Sequence, residues 1–197
     1  MAEPDFFDGW EDHLKPLKDE GYTFDDPRFA HVQAWSMLLM HIHDALISLT
    51  LLSKTSLYED AGSVEELTLQ QALLRNSVMN YAKCFSQSGA GRKTLDKNSI
   101  FKEHPSLTST HDRVMLLRNK FFAHSDNSGI DFACLASREE KDRIHIKQLY
   151  TIKMPLDEIP GYMVLFNHCG NQIKSKIDKA LDGAESKAGK PVVSGQS

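Results

Sequence analysis

The sequence has few cysteines, and their spacing excludes the protein classes that depend on them. Cys84, Cys134 and Cys169 are odd in number and far apart, so they form neither a zinc pattern nor a framework of paired disulfides. This usage is typical of a reducing compartment, and we expect a cytoplasmic location. The sequence predicts neither a metal nor any other cofactor.

The chain also lacks an excess of positive charge and an uninterrupted apolar segment. Its net charge is −4 over 197 residues, so a nucleic acid would have to bind at a local basic patch. The N-terminal segment is acidic and has no apolar signal core. His41, His43 and Asp44 interrupt the most apolar run, WSMLLMHIHDALISLTLL, which argues against a membrane span. We therefore expect no membrane partner.

Four segments carry apolar residues at helical spacing. They predict helices from about residue 27 to 54, from 63 to about 87, from after Pro105, with Phe121 on its inner face, and from about 155 to 181. Ser63 and Glu66 form a capping box before the second helix, and Ser109 with Asp112 is the candidate cap pair of the third. The first helix has a second apolar face, typical of partner binding, formed by Met37, Met40, Ile47 and Leu51.

Between the third and fourth helices the apolar period changes to two. The segment IHIKQLYTIKM has one apolar parity, which predicts a half-buried strand, and IDFACLA is its expected antiparallel partner across SREEKDR. A lone hairpin is marginally stable in water, so it must pack on the helices or pair with another chain.

These patterns predict an all-α fold, an antiparallel helical bundle of four main helices with an inserted β-hairpin between the third and the fourth. The domain spans residues 27–182, with the hairpin at about 130–154. Residues 1–26 are expected to form an acidic, irregular arm, and residues 183–197 a disordered tail.

The stretch MLLRNKFFAHSDNSG places Arg118, Asn119 and His124 at the end of the third helix. One interpretation is structural: His124 stabilises the helix end and Arg118 extends to the surface. The other is phosphodiester cleavage, with the arginine holding a phosphate and the histidine moving protons. Six helical residues span about 9 Å and separate two side chains by about 120°. The two can converge only if the helix ends near Ala123 or a second copy completes the site.

This stretch resembles the R-x(4–6)-H signature of the HEPN superfamily, whose members are compact helical domains. The resemblance implies a homodimeric cleft and metal-independent ribonuclease activity, often in toxins or antiviral defence proteins, although other members only bind. Arg118, Asn119 and His124 match the signature. Some family toxins carry a modifiable tyrosine two residues after the histidine, where this chain has Asp126. For the family's further polar residue on an earlier helix, the candidates are His41, Asp44 and Arg75.

Several other constellations are weaker candidates. HIHD offers His41 and Asp44 three residues apart but no third metal ligand, and SGAGRKTL lacks Walker spacing. Arg138 and His145 repeat the motif spacing, but glutamate follows the arginine. The expected RNA-binding residues are Lys120, Arg113, Arg92 and Lys93.

The resulting hypothesis is a HEPN-type, metal-independent endoribonuclease that forms a homodimer, binds RNA, and serves as a toxin or phage-defence component with an antitoxin or defence partner. The alternative is a non-catalytic RNA- or nucleotide-binding module with the same fold. A third interpretation is a plain interaction bundle.

Overall fold

The computed structural model describes residues 10–24, 26–55, 64–86, 93–122, 131–152 and 154–193, and these are mostly helical. Within them lie six α-helices: α1 Glu11–Asp19, α2 Ala30–Leu52, α3 Val64–Lys83, α4 Lys97–Phe101, α5 Pro105–Leu117 and α6 Ile159–Ala188. A π-helical turn, Arg118–Phe122, continues α5. Strands β1 Asp131–Glu139 and β2 Ile144–Ile152 form an antiparallel hairpin between α5 and α6. The predicted mainly helical fold with an inserted hairpin is confirmed, and α1 and α4 are additional to the four predicted helices.

The core lies where α2 packs against α3 and α6, and where α5 packs against the same two helices. The predicted stripes supply most of it, because residues three and four apart share one helix face. Full burial of a large apolar side chain contributes about 1.5–3 kcal/mol to the stability of the fold. The largest fully buried members include Ile42, Leu49, Leu74, Val78, Tyr81, Leu117, Tyr162, Phe166 and Ile173.

The start of α5 differs from the predicted cap. The helix begins at Pro105, which suits a first helical position because it has no N–H group to satisfy. Ser109 and Asp112 lie inside α5, so the predicted cap pair is wrong; Asp112 instead accepts a hydrogen bond of 2.6 Å from Lys97. The predicted capping residue of the second helix, Ser63, lies outside the described residues.

Both ends of the described chain contain more helix than predicted. Helix α6 continues to Ala188, past the predicted helix end at 181 and into the segment that was expected to be a disordered tail. Ala184 is buried, and the helix stops at Gly189, whose φ of +64° favours glycine. The expected irregular arm likewise contains α1. Acidic residues in its first turn and Lys18 in its last complement the helix dipole.

Helix α2 is apolar on two sides. One side enters the core, and the other exposes Met37, Met40, Ile47 and Leu51, between 44% and 59% accessible. For this reason the segment Pro27–Leu52, in which an 18-residue window has a mean hydropathy of 1.3, is long and apolar enough to cross a membrane by length and composition alone. The core helix of a soluble protein with a second apolar face meets the same criterion.

The hairpin has the predicted position and pairing but not the predicted burial. Its register runs from Asp131 opposite Ile152 to Glu139 opposite Ile144. Ile144 and Ile146, expected to be half-buried, are 64% and 61% exposed, while Met154 packs on the core as its parity predicts. Within the described ranges, no helix lies along either strand. Alternation identified the apolar face, but the described residues leave it exposed.

Candidate functional site

Arg118 and Asn119 lie where the third long helix leaves α-helical geometry. Helix α5 ends at Leu117, and Arg118 opens the π-helical turn. Such single turns are frequent at functional sites because they redirect the side chains that follow. The turn contacts α3 as well as α5, so it is held against the bundle. The predicted motif therefore begins at a change of helical geometry rather than within a straight helix.

The side chains of the first three residues of this turn are accessible to different degrees. Arg118 is partly exposed, and Asn119 and Lys120 are exposed. Nη1 of Arg118 donates a hydrogen bond of 2.8 Å to Oδ1 of Asn119. This bond restrains the guanidinium while using only part of its five-donor capacity. The pair can thus present a fixed, charged fork to an anionic ligand.

The third motif residue, His124, lies outside the described residues, as do Asp126 and the loop that follows. The side chains of Phe121 and Phe122 are also outside them. The expected approach of His124 to Arg118 therefore stays a prediction.

Arg113, a predicted RNA contact, is held by α6. Its Nε and Nη2 atoms donate hydrogen bonds of 2.9–3.1 Å to the Glu158 carboxylate. Tyr162 donates a further bond of 2.5 Å to the same carboxylate. Burial alone would raise the pKa of Glu158, but the bonds from Arg113 and Tyr162 outweigh it and lower that pKa. The charge of Arg113 is thus largely satisfied within the fold.

The other predicted basic residues are separated by the fold. Lys93 lies over the ring of Trp35 on α2, with Nζ 6.0 Å from the centroid, and Lys176 of α6 approaches the same ring at 5.1 Å. These contacts are cation–π geometry. Arg92 lies outside the described residues. Of these predicted basic residues, Lys120 shares the π-helical turn with Arg118.

A row of hydrogen-bonded polar side chains connects α3 to α2 and was not predicted. Lys83 donates to Oδ1 of Asn80 at 3.1 Å, Asn80 donates to Oδ1 of Asn76 at 3.0 Å, and Asn76 donates to Oγ of Ser48 at 2.7 Å. Asn80 and Ser48 are buried. The sequence signal was available: polar residues recur every three or four positions along α3, beside its apolar stripe.

His111 of α5 was also missed, because a single histidine at an inward position carries no motif. It packs among Phe85, Phe101 and Tyr81, and its Nδ1 lies 2.8 Å from the Tyr81 hydroxyl. Burial lowers the pKa of His111 to about 4. The ring is therefore neutral at pH 7 and anchors the helix that carries the motif.

The remaining constellations do not assemble a metal site. In the part of the chain that the structure describes, no three His, Cys or acidic residues lie close enough to hold a metal ion. Arg138 and His145 face each other across the hairpin, and both contact Glu140, at 2.6 and 3.2 Å. These two residues therefore have a structural role in the hairpin, although their spacing in the sequence resembles that of the motif.

Comparison of the chain with protein-family models, curated proteins and solved structures gave no match. The functional argument therefore depends on the residues and geometry described above.

Proposed function

We propose that this chain is a HEPN-type, metal-independent endoribonuclease that acts as a homodimer in a toxin or phage-defence system. In this proposal α2, α3, α5 and α6 form the four-helix core of the domain. The observation that carries it is the Arg118–Asn119 pair, exposed at the point where α5 becomes a π-helical turn.

Each motif residue has a distinct role in the proposed reaction. Arg118 binds a phosphate oxygen and stabilises the additional negative charge of the pentacoordinate transition state. Asn119 orients the guanidinium through the bond that the two side chains already share. His124 takes the proton of the attacking 2′-hydroxyl or returns one to the departing 5′-oxygen. The bond from phosphorus to the 5′-oxygen breaks, leaving a 2′,3′-cyclic phosphate and a 5′-hydroxyl.

In this proposal a homodimer completes the site. We propose that α5 or the loop at residues 125–129 approaches its symmetry mate, so that two copies of the motif share one cleft. The exposed face of α2, with Met37, Met40, Ile47 and Leu51, provides apolar surface for the association. An antitoxin or a defence partner could occupy the same surface.

The second candidate function is a non-catalytic RNA- or nucleotide-binding module. One observation favours it: Arg118 and Lys120 are both accessible on one π-helical turn, and such cations can contact a phosphate without any histidine. This module would bind RNA and leave it intact.

The test is cleavage of a mixed RNA substrate by the purified chain, free of any inhibitor, in the presence of EDTA. We expect cleavage with cyclic-phosphate ends, no cleavage of DNA, and at least about a hundredfold loss for His124→Ala. His104→Ala is the matched control, since His104 also lies at an end of α5 but outside the motif. Intact RNA with retained binding would favour the second function. Cleavage abolished by EDTA would contradict the proposed mechanism.

A further inference from the structure

The hairpin exposes an apolar face to solvent. Directly opposed residues of an antiparallel pair lie on the same face, and the register places Leu135 opposite Gln148 and Ile146 opposite Ser137. Leu135, Ile144 and Ile146 are 66%, 64% and 61% exposed and share one face. In the described sheet both outer edges are unpaired.

An isolated pair of strands is a weak structure. Two strands are marginally stable in water, and three or more strands with an apolar face are needed for independent stability. This hairpin has nine residues in each strand, and the described helices do not lie along it. Addition of strands at one edge would satisfy the open backbone groups and cover part of the apolar face.

Strand β2 is complementary to itself when two copies run antiparallel. Full-length pairing is centred on Gln148, the midpoint of Ile144–Ile152. Ile144 then meets residue 152 of the second copy, Ile146 meets residue 150, and Gln148 meets its own mate. The sequence places isoleucine at 152 and tyrosine at 150, so apolar residues oppose one another. Such cross-strand pairs each contribute about 0.2–1 kcal/mol.

Strand β1 is not complementary to itself. Full-length antiparallel pairing of Asp131–Glu139 is centred on Leu135 and brings Asp131 opposite Glu139 of the second copy. Like charges that are directly opposed destabilise a sheet. Charge therefore selects the β2 edge over the β1 edge.

We propose that a second copy of this chain pairs with the hairpin through β2, forming a four-stranded antiparallel sheet with strand order β1–β2–β2–β1 and a two-fold axis at Gln148. The contact is isologous and closes as a dimer rather than continuing into a fibre. Strand β1 begins seven residues after His124, so this sheet would tether the motif-bearing segments of both copies to one assembly. The proposal concerns association alone and does not depend on RNA cleavage.

The pairing brings the two Lys147 residues into diagonal positions, about 7–8 Å apart. Their repulsion opposes association at low ionic strength and is screened as salt is added. We therefore expect the affinity of this dimer to increase as the salt concentration rises, whereas the affinity for RNA should decrease.

Cysteine cross-linking tests whether the two-fold axis of the dimer passes through Gln148. In the full chain with Cys134→Ser, Gln148→Cys should form a disulfide-linked dimer under mild oxidation, because opposed α-carbons lie about 4.5–5.5 Å apart. His145→Cys is the control on the same strand. The two copies of that residue would lie about 20 Å apart, so it should remain monomeric on a non-reducing gel. No cross-link at Gln148, or equal cross-linking at both positions, would overturn the proposal.

Charge substitution distinguishes edge pairing from packing of the two apolar faces. Ile146→Lys lies on the pairing strand and should weaken the dimer at least tenfold in analytical ultracentrifugation. Leu135→Lys lies on the same face with nearly equal exposure but on the outer strand, and should weaken it less than threefold. Equal loss in both variants would indicate face packing and contradict the proposed edge contact. So would a hairpin that pairs only with a different protein and leaves the chain monomeric.

Discussion

Arg113, within the C-terminal half of α5, and Arg118, just past its last residue, have different partners in the fold. Within the helix Arg113 donates three hydrogen bonds to Glu158, and the neutral His111 is buried against Tyr81. Just past the helix end Arg118 and Lys120 are accessible, and Arg118 bonds to its sequence neighbour Asn119. Arg113 and Arg118 are five residues apart, and composition alone does not distinguish them.

The difference lies in what each residue faces. Arg113 points to the start of α6, where a carboxylate at Glu158 satisfies it from another element. Arg118 lies past the last α-helical residue, on the π-helical turn, and its side chain donates a hydrogen bond to its own neighbour Asn119. A helix held in place by long-range contacts fixes the position of the residues that follow its end, which is the preorganisation that the proposed catalysis requires.

The largest expected effect is on the RNA cleavage rate, when Arg118 and Arg113 are each replaced by alanine in separate variants. Arg118→Ala should lower the RNA cleavage rate at least about a hundredfold by removing transition-state charge stabilisation, with an unchanged melting temperature. Arg113→Ala should leave the cleavage rate within a few-fold. Because the pair with Glu158 is partly exposed, that variant should lose only about 1 kcal/mol of stability, or about 2–4 °C in melting temperature.

Rate assays and thermal melts on both variants check that Arg118 acts in cleavage and Arg113 in stability. Arg118→Lys is the control for charge, because it retains a cation but loses the bidentate fork, and we expect it to remain strongly impaired. A large rate loss in Arg113→Ala with normal stability would move Arg113 into the reactive site and contradict the comparison.

The next effect concerns His111, which is buried within α5, and the stability of the fold in acid. The pKa of His111 is about 4 in the folded chain and 6.5 unfolded, so the unfolded state binds the extra proton between those pH values. Stability is therefore full above pH 6.5 and falls as pH drops toward 4, by about 2 kcal/mol after solvent screening. The lowered pKa of Glu158 adds a loss only as the pH falls below about 4.5.

Denaturant unfolding at several pH values checks this effect. His111→Gln retains an acceptor for the Tyr81 hydroxyl and removes the titration, so its stability should vary little from pH 6.5 to 4.5. The slope with pH is the readout, since the substitution also changes packing. A wild-type chain with constant stability across that range would show that His111 titrates normally.

The sequence predicted local patterns well and long-range partners poorly. Apolar spacing located α2, α3, α5 and α6 because periodicity is a property of each segment by itself. The bond between Arg113 and Glu158 joins residues 45 positions apart, and no local pattern reveals it. Parity likewise showed which face of β2 is apolar, yet whether that face is covered depends on what packs there. The motif at Arg118 was visible, but its π-helical turn was not.

The smallest expected effect separates two lysines that the sequence placed in one RNA-binding patch. Lys120 is exposed on the π-helical turn that carries Arg118, whereas Lys93 lies over Trp35. In the His124→Ala background, which prevents cleavage, Lys120→Ala should reduce the slope of log affinity against log salt by about 0.7, the loss of one phosphate contact on single-stranded RNA. Lys93→Ala should leave the slope unchanged. Fluorescence anisotropy over a salt series measures both, and an equal decrease for Lys93→Ala would extend the RNA surface from the end of α5 to Trp35 and break the proposed division.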